Sequence, residues 1–309
     1  MPTETTRKLA EAYRMASDEL NEAKLYWDGT DLKPFRQAKK DAYALYMASE
    51  NEIVDSITVN LDGLDIVLPI ADKMPSNQSK WRVFCNSIKD ILDSEIVQML
   101  PISQKVKLFK VILEIEQYEP KSDVMEVDAK LRGSNWVCLN ADTGITCPNR
   151  SNGRCKFCEH CYAYKMACKP ATAKKQMAKV IFWYEHTIGQ LSNEIGIRDA
   201  PVCRINQEGD FNDVKSFRKF VDLAMATPNV RFYGYTKNHE VLAWIEANGL
   251  PSNLNIQNSL DTWETNNYIA VPKEKIAEYL AKGYKLCKGK CDKCFQCVYG
   301  CNVVTLLRK

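Results

Sequence analysis

The chain has 309 residues, with 42 Lys and Arg against 39 Asp and Glu, and a formal net charge of +3. Its 45% hydrophobic and 26% charged residues are typical of a globular protein, which excludes a disordered tail, a collagen or a low-complexity polymer. The unusual residue is cysteine: of 13 in the chain, only Cys85 precedes residue 136. Formal charge changes at the same place, from −5 before it to +8 after it. These two steps predict a domain boundary there, between a 1–134 accessory domain and a cysteine-rich 135–309 domain.

The first part of the chain is predicted to be mainly helical. Apolar residues recur every three or four positions in 4–27 and 34–54, and two further helices are expected at about 80–99 and 102–118. Between these pairs, the alternating segment around Asp62-Gly63 predicts a β-hairpin. No apolar secretory signal opens the chain, and no run of 18 apolar residues could span a membrane. We therefore expect a cytoplasmic protein, in which clustered cysteines are metal ligands or catalytic thiols rather than disulfides.

In the second part, short strands alternate with helices. Residues 136–140, 202–206, 230–235 and 254–258 are rich in β-branched and aromatic side chains and predict strands. The helices between them include a long one that opens at Pro170 and has an apolar face extending to Ile195, with others ending near Pro228, Gly249 and Gly283. This alternation predicts an α/β fold, with a full or partial (β/α) barrel as the C-terminal domain. Ligands of such folds bind at the carboxyl ends of the strands.

A first cysteine group follows the first of these strands. Cys155, Cys158 and Cys161 have C-x2-C-x2-C spacing, which does not place three thiols on one face of a helix or strand and therefore predicts a loop curled around a metal. Two arrangements are open. Either Cys147 is a fourth ligand, or the other three cysteines alone hold an iron–sulfur cluster with one open iron. Zinc is the alternative occupant, because C-x2-C pairs also bind zinc.

A second cysteine group lies near the C-terminus. Cys291, Cys294, Cys297 and Cys301 have the C-x2-C-x2-C-x3-C spacing of bacterial ferredoxins, and Cys287 competes with Cys301 as a ligand. Lysines interleave with these thiols and would offset the negative charge of a thiolate-bound cluster. The spacing predicts a second metal site.

Polar side chains lie where the predicted strands end. The second strand leads into Glu208-Gly209-Asp210, an acidic glycine-containing turn that could hold an amine or hydroxyl group close to the backbone. Thr236 and Asn258 occupy the equivalent places after the next two strands. We predict that these residues bind a cofactor. The same turn also suits the start of the following helix, with Asn212 or Asp213 as its N-cap.

Several of these motifs occur together in one known family. The Cys147-Pro148 pair, the Cys161-Tyr162-Ala163 segment, the strand-turn segments RINQEGDF and FYGYTKN, and the cysteine-rich C-terminus resemble the phage gene product 88 family over about residues 135–309. That resemblance implies a phage-encoded protein in the host cytoplasm and assigns no activity.

The layout is also similar to that of radical S-adenosylmethionine (radical SAM) enzymes. That similarity implies a catalytic 4Fe-4S cluster on Cys155, Cys158 and Cys161, and an amine of S-adenosylmethionine bound by the turn Glu208–Asp210. It also implies an auxiliary cluster on the C-terminal cysteines. The spacing departs from the usual C-x3-C-x2-C of these enzymes, a pattern that occurs here at Cys287, Cys291 and Cys294 instead.

The leading functional hypothesis is an iron–sulfur protein, a radical SAM-like enzyme that generates a 5′-deoxyadenosyl radical to act on an unknown substrate. Its cofactors would be one or two 4Fe-4S clusters and S-adenosylmethionine, with an electron donor of the flavodoxin or ferredoxin type. One alternative is a zinc-binding protein that acts on nucleic acid or in assembly. The +8 charge of the second part supports it. A second alternative is an electron-transfer protein with two clusters.

Overall fold

A computed structural model describes most of the chain beyond residue 54. The described residues are 11, 12, 15, 37, 38, 41, 55–70, 89–115, 118–120, 123–127, 134–151, 155, 161–167, 169–260, 262–289 and 291–307. The chain divides into two compact units, Met1–Ile91 and Leu92–Lys309. The boundary predicted near residue 135 from cysteine content and charge stays a prediction.

The first unit contains the predicted hairpin. Strand β1 (Asp55–Leu61) pairs antiparallel with β2 (Leu64–Ile70), and Leu61 lies opposite Leu64. Asp62 and Gly63 both have positive φ, at 53° and 97°, as a two-residue turn that matches the twist of the strands requires. The hairpin prediction is confirmed. The predicted helices 4–27 and 34–54 lie mostly outside the described residues, and the six described there are all helical.

The second unit combines short helices with parallel strands. Its elements are, in chain order, α1 (Glu95–Met99), α2 (Ile102–Ile115), β3 (Val137–Leu139), α3 (Pro148–Ser151), α4 (Tyr162–Ala167), α5 (Pro170–Glu185), α6 (Ile188–Ile197), β4 (Val202–Ile205), α7 (Val214–Ala226), β5 (Arg231–Thr236), α8 (His239–Asn248), β6 (Leu254–Asn258), β7 (Tyr268–Val271), a 3₁₀ turn (Lys273–Lys275), α9 (Ile276–Ala281), β8 (Lys285–Leu286), α10 (Cys291–Cys294), α11 (Gln296–Tyr299) and β9 (Val303–Leu306). No described helix is long and apolar enough to cross a membrane.

The central sheet has four parallel strands in the order β3-β4-β5-β6. All four correspond to strands predicted from the sequence, so the prediction of a mixed α/β fold with a parallel sheet is confirmed. A smaller parallel sheet has the order β7-β9-β8. Because the strands of the central sheet are parallel, the segments after β3, β4, β5 and β6 all begin at the same end of the sheet.

Helices α5 to α8 cover one face of the central sheet. Leu139, Ile205, Phe232 and Ile256 point from successive strands into a core that these helices share. The apolar face running from Pro170 to Ile195 predicted one long helix, and that prediction is wrong, because α5 ends at Glu185 and α6 begins at Ile188. The break is local. Thr187 forms a capping box with Gln190, so a new helix begins there although the apolar period continues across the break.

The opposite face of the sheet is covered by the C-terminal cysteine segment. Trp136, Cys138 and Tyr233 on this face form a second core with Val298, and Cys297 packs against its edge. Two side chains of β6 bind the segment directly. Asn255 donates to the carbonyl of Cys297 at 2.6 Å, and Gln257 donates to the carbonyl of Cys301 at 2.7 Å.

Candidate functional site

The loop that follows β3 is polar and yet buried. Asn140, Asp142, Thr143, Thr146 and Asn149 are each at most 2% exposed. Asp142 organises the loop, because its Oδ1 accepts from the Thr143 N–H at 2.7 Å and from the Thr146 hydroxyl. Buried polar side chains of this kind hold a loop in one conformation, since each lost partner would leave a desolvated group unpaired.

The acidic turn after β4 packs directly on this loop. Gly209 has φ +74°, and a Cβ atom placed there would lie 2.5 Å from the carbonyl oxygen of Asp142. Two asparagines join the two segments: Asn206 Oδ1 accepts from the Ala141 N–H at 2.7 Å, and Asn140 Oδ1 accepts from the Gln207 N–H at 3.0 Å. Gly209 is therefore required for the contact between two backbones.

Asp210 connects the segments that follow three neighbouring strands. Its carboxylate accepts from the Thr236 hydroxyl at 2.7 Å, the Lys237 N–H at 2.8 Å, the Phe211 N–H at 2.7 Å and the side-chain amide of Asn149. Burial raises the pKa of Asp210, and the hydrogen bonds from Lys237, Thr236 and Phe211 oppose the rise. Because four donors of the chain itself occupy both oxygens, the visible role of Asp210 is to join the loops.

The structure places the predicted cofactor residues at neighbouring strand ends, where Asn258 pairs with Thr236, but it uses their side chains differently. Gly209, Asp210 and Thr236 lie in one buried cluster, and the neighbouring Glu208 is 4% exposed. The side chain of Asn258 is instead committed to its own loop, where it bonds Thr262 at 2.6 Å and accepts from the Leu260 N–H at 2.7 Å. As predicted for this turn, Asp213 caps α7.

The described cysteines of the first group lie beside this cluster. Cys147 directly follows Thr146, and its thiol pKa is raised well above the ordinary value by burial and then by the charges of Asp210 and Asp142. The Cys155 N–H donates to the Asn149 carbonyl at 3.0 Å, and the Cys161 carbonyl accepts from Lys165 at the start of α4. Cys147, Cys155 and Cys161 are all partly exposed. Cys158 lies outside the described residues.

One charged residue of this site was missed by the sequence analysis. Lys105 of α2 is 2% exposed, and its Nζ lies 3.9 Å from Asp142 Oδ2 and 3.4 Å from the Thr146 carbonyl. Burial raises the pKa of Asp142, and the Lys105 charge opposes that rise. The available signal was spacing: Lys105 is in helical register with Leu108, Phe109 and Ile112 of the apolar face.

The second cysteine group lies on the opposite face of the sheet. Cys287 directly follows β8, its N–H donates to the Val304 carbonyl at 2.8 Å, and the other four thiols lie within 291–301. The chain turns sharply between them, with φ 51° at Phe295 and 81° at Gly300. A positive φ at a bulky aromatic residue is uncommon and is retained where surrounding packing imposes it, here against Trp136.

Tyrosines contact the thiols of this second group. The Tyr268 hydroxyl lies 4.0 Å from the Cys287 sulfur, and the Tyr235 and Tyr268 rings have their centroids 4.4 Å apart. Burial raises the pKa of Cys297 to about 12, while a hydrogen bond with Tyr235 opposes the rise. Cys294 is the exposed member of the group.

The donor chemistry of both groups suits a soft metal, because thiolates prefer zinc and iron–sulfur clusters. Within the described part of the chain, no three His, Cys, Asp or Glu side chains surround a common metal position. The two remaining described cysteines, Cys138 and Cys203, are buried in the sheet.

Comparison with known proteins identifies the family. The model of the family described as gene product 88 matches residues 116–288, more than half of the chain. The chain therefore belongs to the gene product 88 family, the phage family that its motifs predicted. No curated protein and no solved structure matches. The matched region includes the whole first cysteine group and Cys287, and ends before Cys291.

Proposed function

We propose that this phage protein is an iron–sulfur protein whose first cluster is held by Cys155, Cys158 and Cys161, with Cys147 as the candidate fourth ligand. The carrying observation is the position of the first cysteine group. Its described members follow the first parallel strand and lie beside the Gly209–Asp210 turn, at the end of the sheet where α/β proteins bind ligands. Cys287, Cys291, Cys294, Cys297 and Cys301 would hold a second cluster.

We further propose radical SAM-like chemistry on an unknown substrate, with the central sheet forming part of a full or partial (β/α) barrel. When bound, a cluster with an open iron would supply the electron that cleaves S-adenosylmethionine into methionine and a 5′-deoxyadenosyl radical. This chain's own contribution would be to orient the cofactor. Gly209 brings the β4 turn against the loop of Asp142, and since the Asp210 oxygens are already engaged, Glu208 is the acid of the turn assigned to the cofactor amine.

Metal analysis tests the first part of this proposal. Protein purified without oxygen is expected to contain iron and acid-labile sulfide and to absorb near 400 nm; a colourless protein loaded with zinc would overturn the iron–sulfur assignment. Cys158→Ala is expected to remove the contribution of the first cluster and spare that of the second. Cys203→Ala is the matched control, because Cys203 is fully buried between β3 and β5 and away from either group.

Incubation of the reduced protein with S-adenosylmethionine tests the second part. We expect 5′-deoxyadenosine as a product, with electrons from a flavodoxin- or ferredoxin-type donor in the host cytoplasm. An intact cluster that forms no 5′-deoxyadenosine would contradict the enzyme and favour a two-cluster electron-transfer protein.

One observation favours a second candidate function, a zinc-binding protein that acts on nucleic acid or in assembly. Lys285, Lys288 and Lys293 are exposed around the second cysteine group. Exposed lysines neutralise phosphates, so this candidate predicts nucleic-acid binding that weakens steeply with salt. Fluorescence anisotropy with a labelled oligonucleotide at two salt concentrations checks it.

A further inference from the structure

Three side chains form an ionic contact at the two ends of the first cysteine loop. Asp93 accepts from both terminal nitrogens of Arg150, one of them at 3.0 Å, and from the Tyr164 hydroxyl at 2.6 Å. The Arg150 guanidinium also lies over the Tyr164 ring, 3.9 Å from its centroid. We call Asp93, Arg150 and Tyr164 the Asp93 clasp.

Two residues of the Asp93 clasp lie close in sequence to the first and last cysteines of the first group. Arg150 lies three residues after Cys147, and Tyr164 lies three residues after Cys161. The Asp93 carboxylate thus contacts one residue shortly after the first of the four cysteines and one shortly after the last. Asp93 itself is 57 residues away from Arg150 in sequence, and it precedes the region that matches the family.

The geometry of the clasp is that of a strong ion pair. A bidentate arginine–carboxylate contact fixes orientation as well as distance. The pair is partly shielded from water, with 26% of the Arg150 side chain and 19% of the Asp93 side chain exposed. Gln98 adds a second attachment from α1, because its amide donates to the Ile145 carbonyl at 2.9 Å just before Cys147.

We propose that Asp93 is a positioning residue that fixes the two ends of the first cysteine segment, at Arg150 and Tyr164, and so favours metal binding by its thiols. This inference rests on the proposed metal site at Cys147–Cys161. Holding the ends of a loop lowers the entropy lost when its ligands converge on a metal. Removal of the Asp93 carboxylate therefore loosens the loop first and weakens metal binding as a result.

Thiol alkylation of the metal-free protein tests the loosening without any metal. Iodoacetamide is applied to the full chain, and peptide mass spectrometry measures the rate at each cysteine. Asp93→Ala is expected to raise the alkylation rates of Cys147–Cys161 roughly five- to thirtyfold, the factor that one or two kcal/mol of lost stabilisation gives. The rates of the second cysteine group are expected to stay unchanged and serve as the internal reference.

The matched control is Asp123→Ala. Asp123 makes the same kind of bidentate contact, with Nε and Nη2 of Arg198, on the same compact unit and away from the cysteine loop. It is expected to leave the Cys147–Cys161 rates unchanged. Equal acceleration in Asp93→Ala and Asp123→Ala, or none in Asp93→Ala, would refute the positioning role.

Two further variants keep the test decisive if Asp93→Ala does not fold. Tyr164→Phe removes only the hydroxyl that donates to Asp93, and it is expected to accelerate alkylation of the first group about fivefold, as loss of one hydrogen bond to a charged group predicts. Asp93→Glu keeps the carboxylate and is expected to restore most of the protection. Wild-type rates in Tyr164→Phe would contradict the clasp.

A cobalt titration separates this inference from the proposed function. Wild-type protein is expected to bind Co²⁺ with thiolate-to-metal absorption, and Asp93→Ala to bind it at least fivefold more weakly at the first group. No thiolate absorption in the wild type would count against the metal site itself, while the alkylation rates would still decide whether Asp93 fixes the ends of the segment.

Discussion

Gly209→Ala gives a direct test of the packing between the acidic turn and the loop after β3. The new Cβ would lie 2.5 Å from the carbonyl oxygen of Asp142, 2.7 Å from its carbonyl carbon and 2.9 Å from the carbonyl oxygen of Thr143. All three are backbone atoms of a buried loop, so none can rotate away. Overpacking of this kind costs about 1–3 kcal/mol, and the positive φ of +74° adds about 1–2 kcal/mol for any residue with a Cβ.

Gly283→Ala is the matched control for this prediction. Gly283 has φ +84°, and a Cβ atom added there would meet no other atom within 4 Å, so alanine at this position incurs the backbone cost alone. The unfolding free energy of Gly209→Ala is therefore expected to fall below that of Gly283→Ala by about 1–3 kcal/mol.

Urea unfolding of the metal-free full chain measures this difference. Tryptophan fluorescence reports mainly on the second unit, which contains four of the six tryptophans. A chelator in the buffer excludes any contribution from metal linkage. Equal shifts of the unfolding midpoint in the two variants would refute the close contact between Gly209 and Asp142.

Three more predictions follow from the described contacts. Thr236→Val removes the hydroxyl that donates to the buried Asp210 carboxylate and accepts from the Asn238 N–H, and it is expected to cost about 1–3 kcal/mol in urea unfolding, whereas an unchanged midpoint would show that these bonds contribute nothing. Cys203→Ala is expected to lower stability and leave the metal content at the wild-type value, and a loss of metal would show that Cys203 is a ligand. Asp123→Asn tests a charge: burial raises the pKa of Asp123, but the hydrogen bonds from Arg198 and the Met125 N–H, together with the charges of Arg198 and Lys179, outweigh it and the net pKa is lowered. Its stabilisation is therefore present near neutral pH and lost as the pH falls through the folded-state pKa, so thermal unfolding should separate wild type from variant at pH 7 and not at pH 2.

Local patterns determined much of the architecture. The four strands of the central sheet were predictable because each is a short β-branched and aromatic run bounded by turn residues, and the hairpin because Asp62-Gly63 tolerates two successive positive φ angles. The family was predictable for a related reason, since its motifs are contiguous segments of sequence. The break between α5 and α6 was missed because the apolar period continues across it, and only the capping box at Thr187 marks the new start.

Only the tertiary structure decided how the polar residues are used. The sequence placed Asp210, Thr236 and Asn258 at strand ends, but not that Asp210 would be engaged by four donors while Asn258 bonds its own loop. Helical spacing placed Lys105 on the apolar face of α2, but nothing local paired Asp93 or Lys105 with the site, since their partners lie 57 and 41 residues away. Helix and strand periods arise from interactions between near neighbours, which a sequence displays directly. The pairing of charges across loops depends on which segments the fold brings into contact, and that is fixed only when the chain has packed.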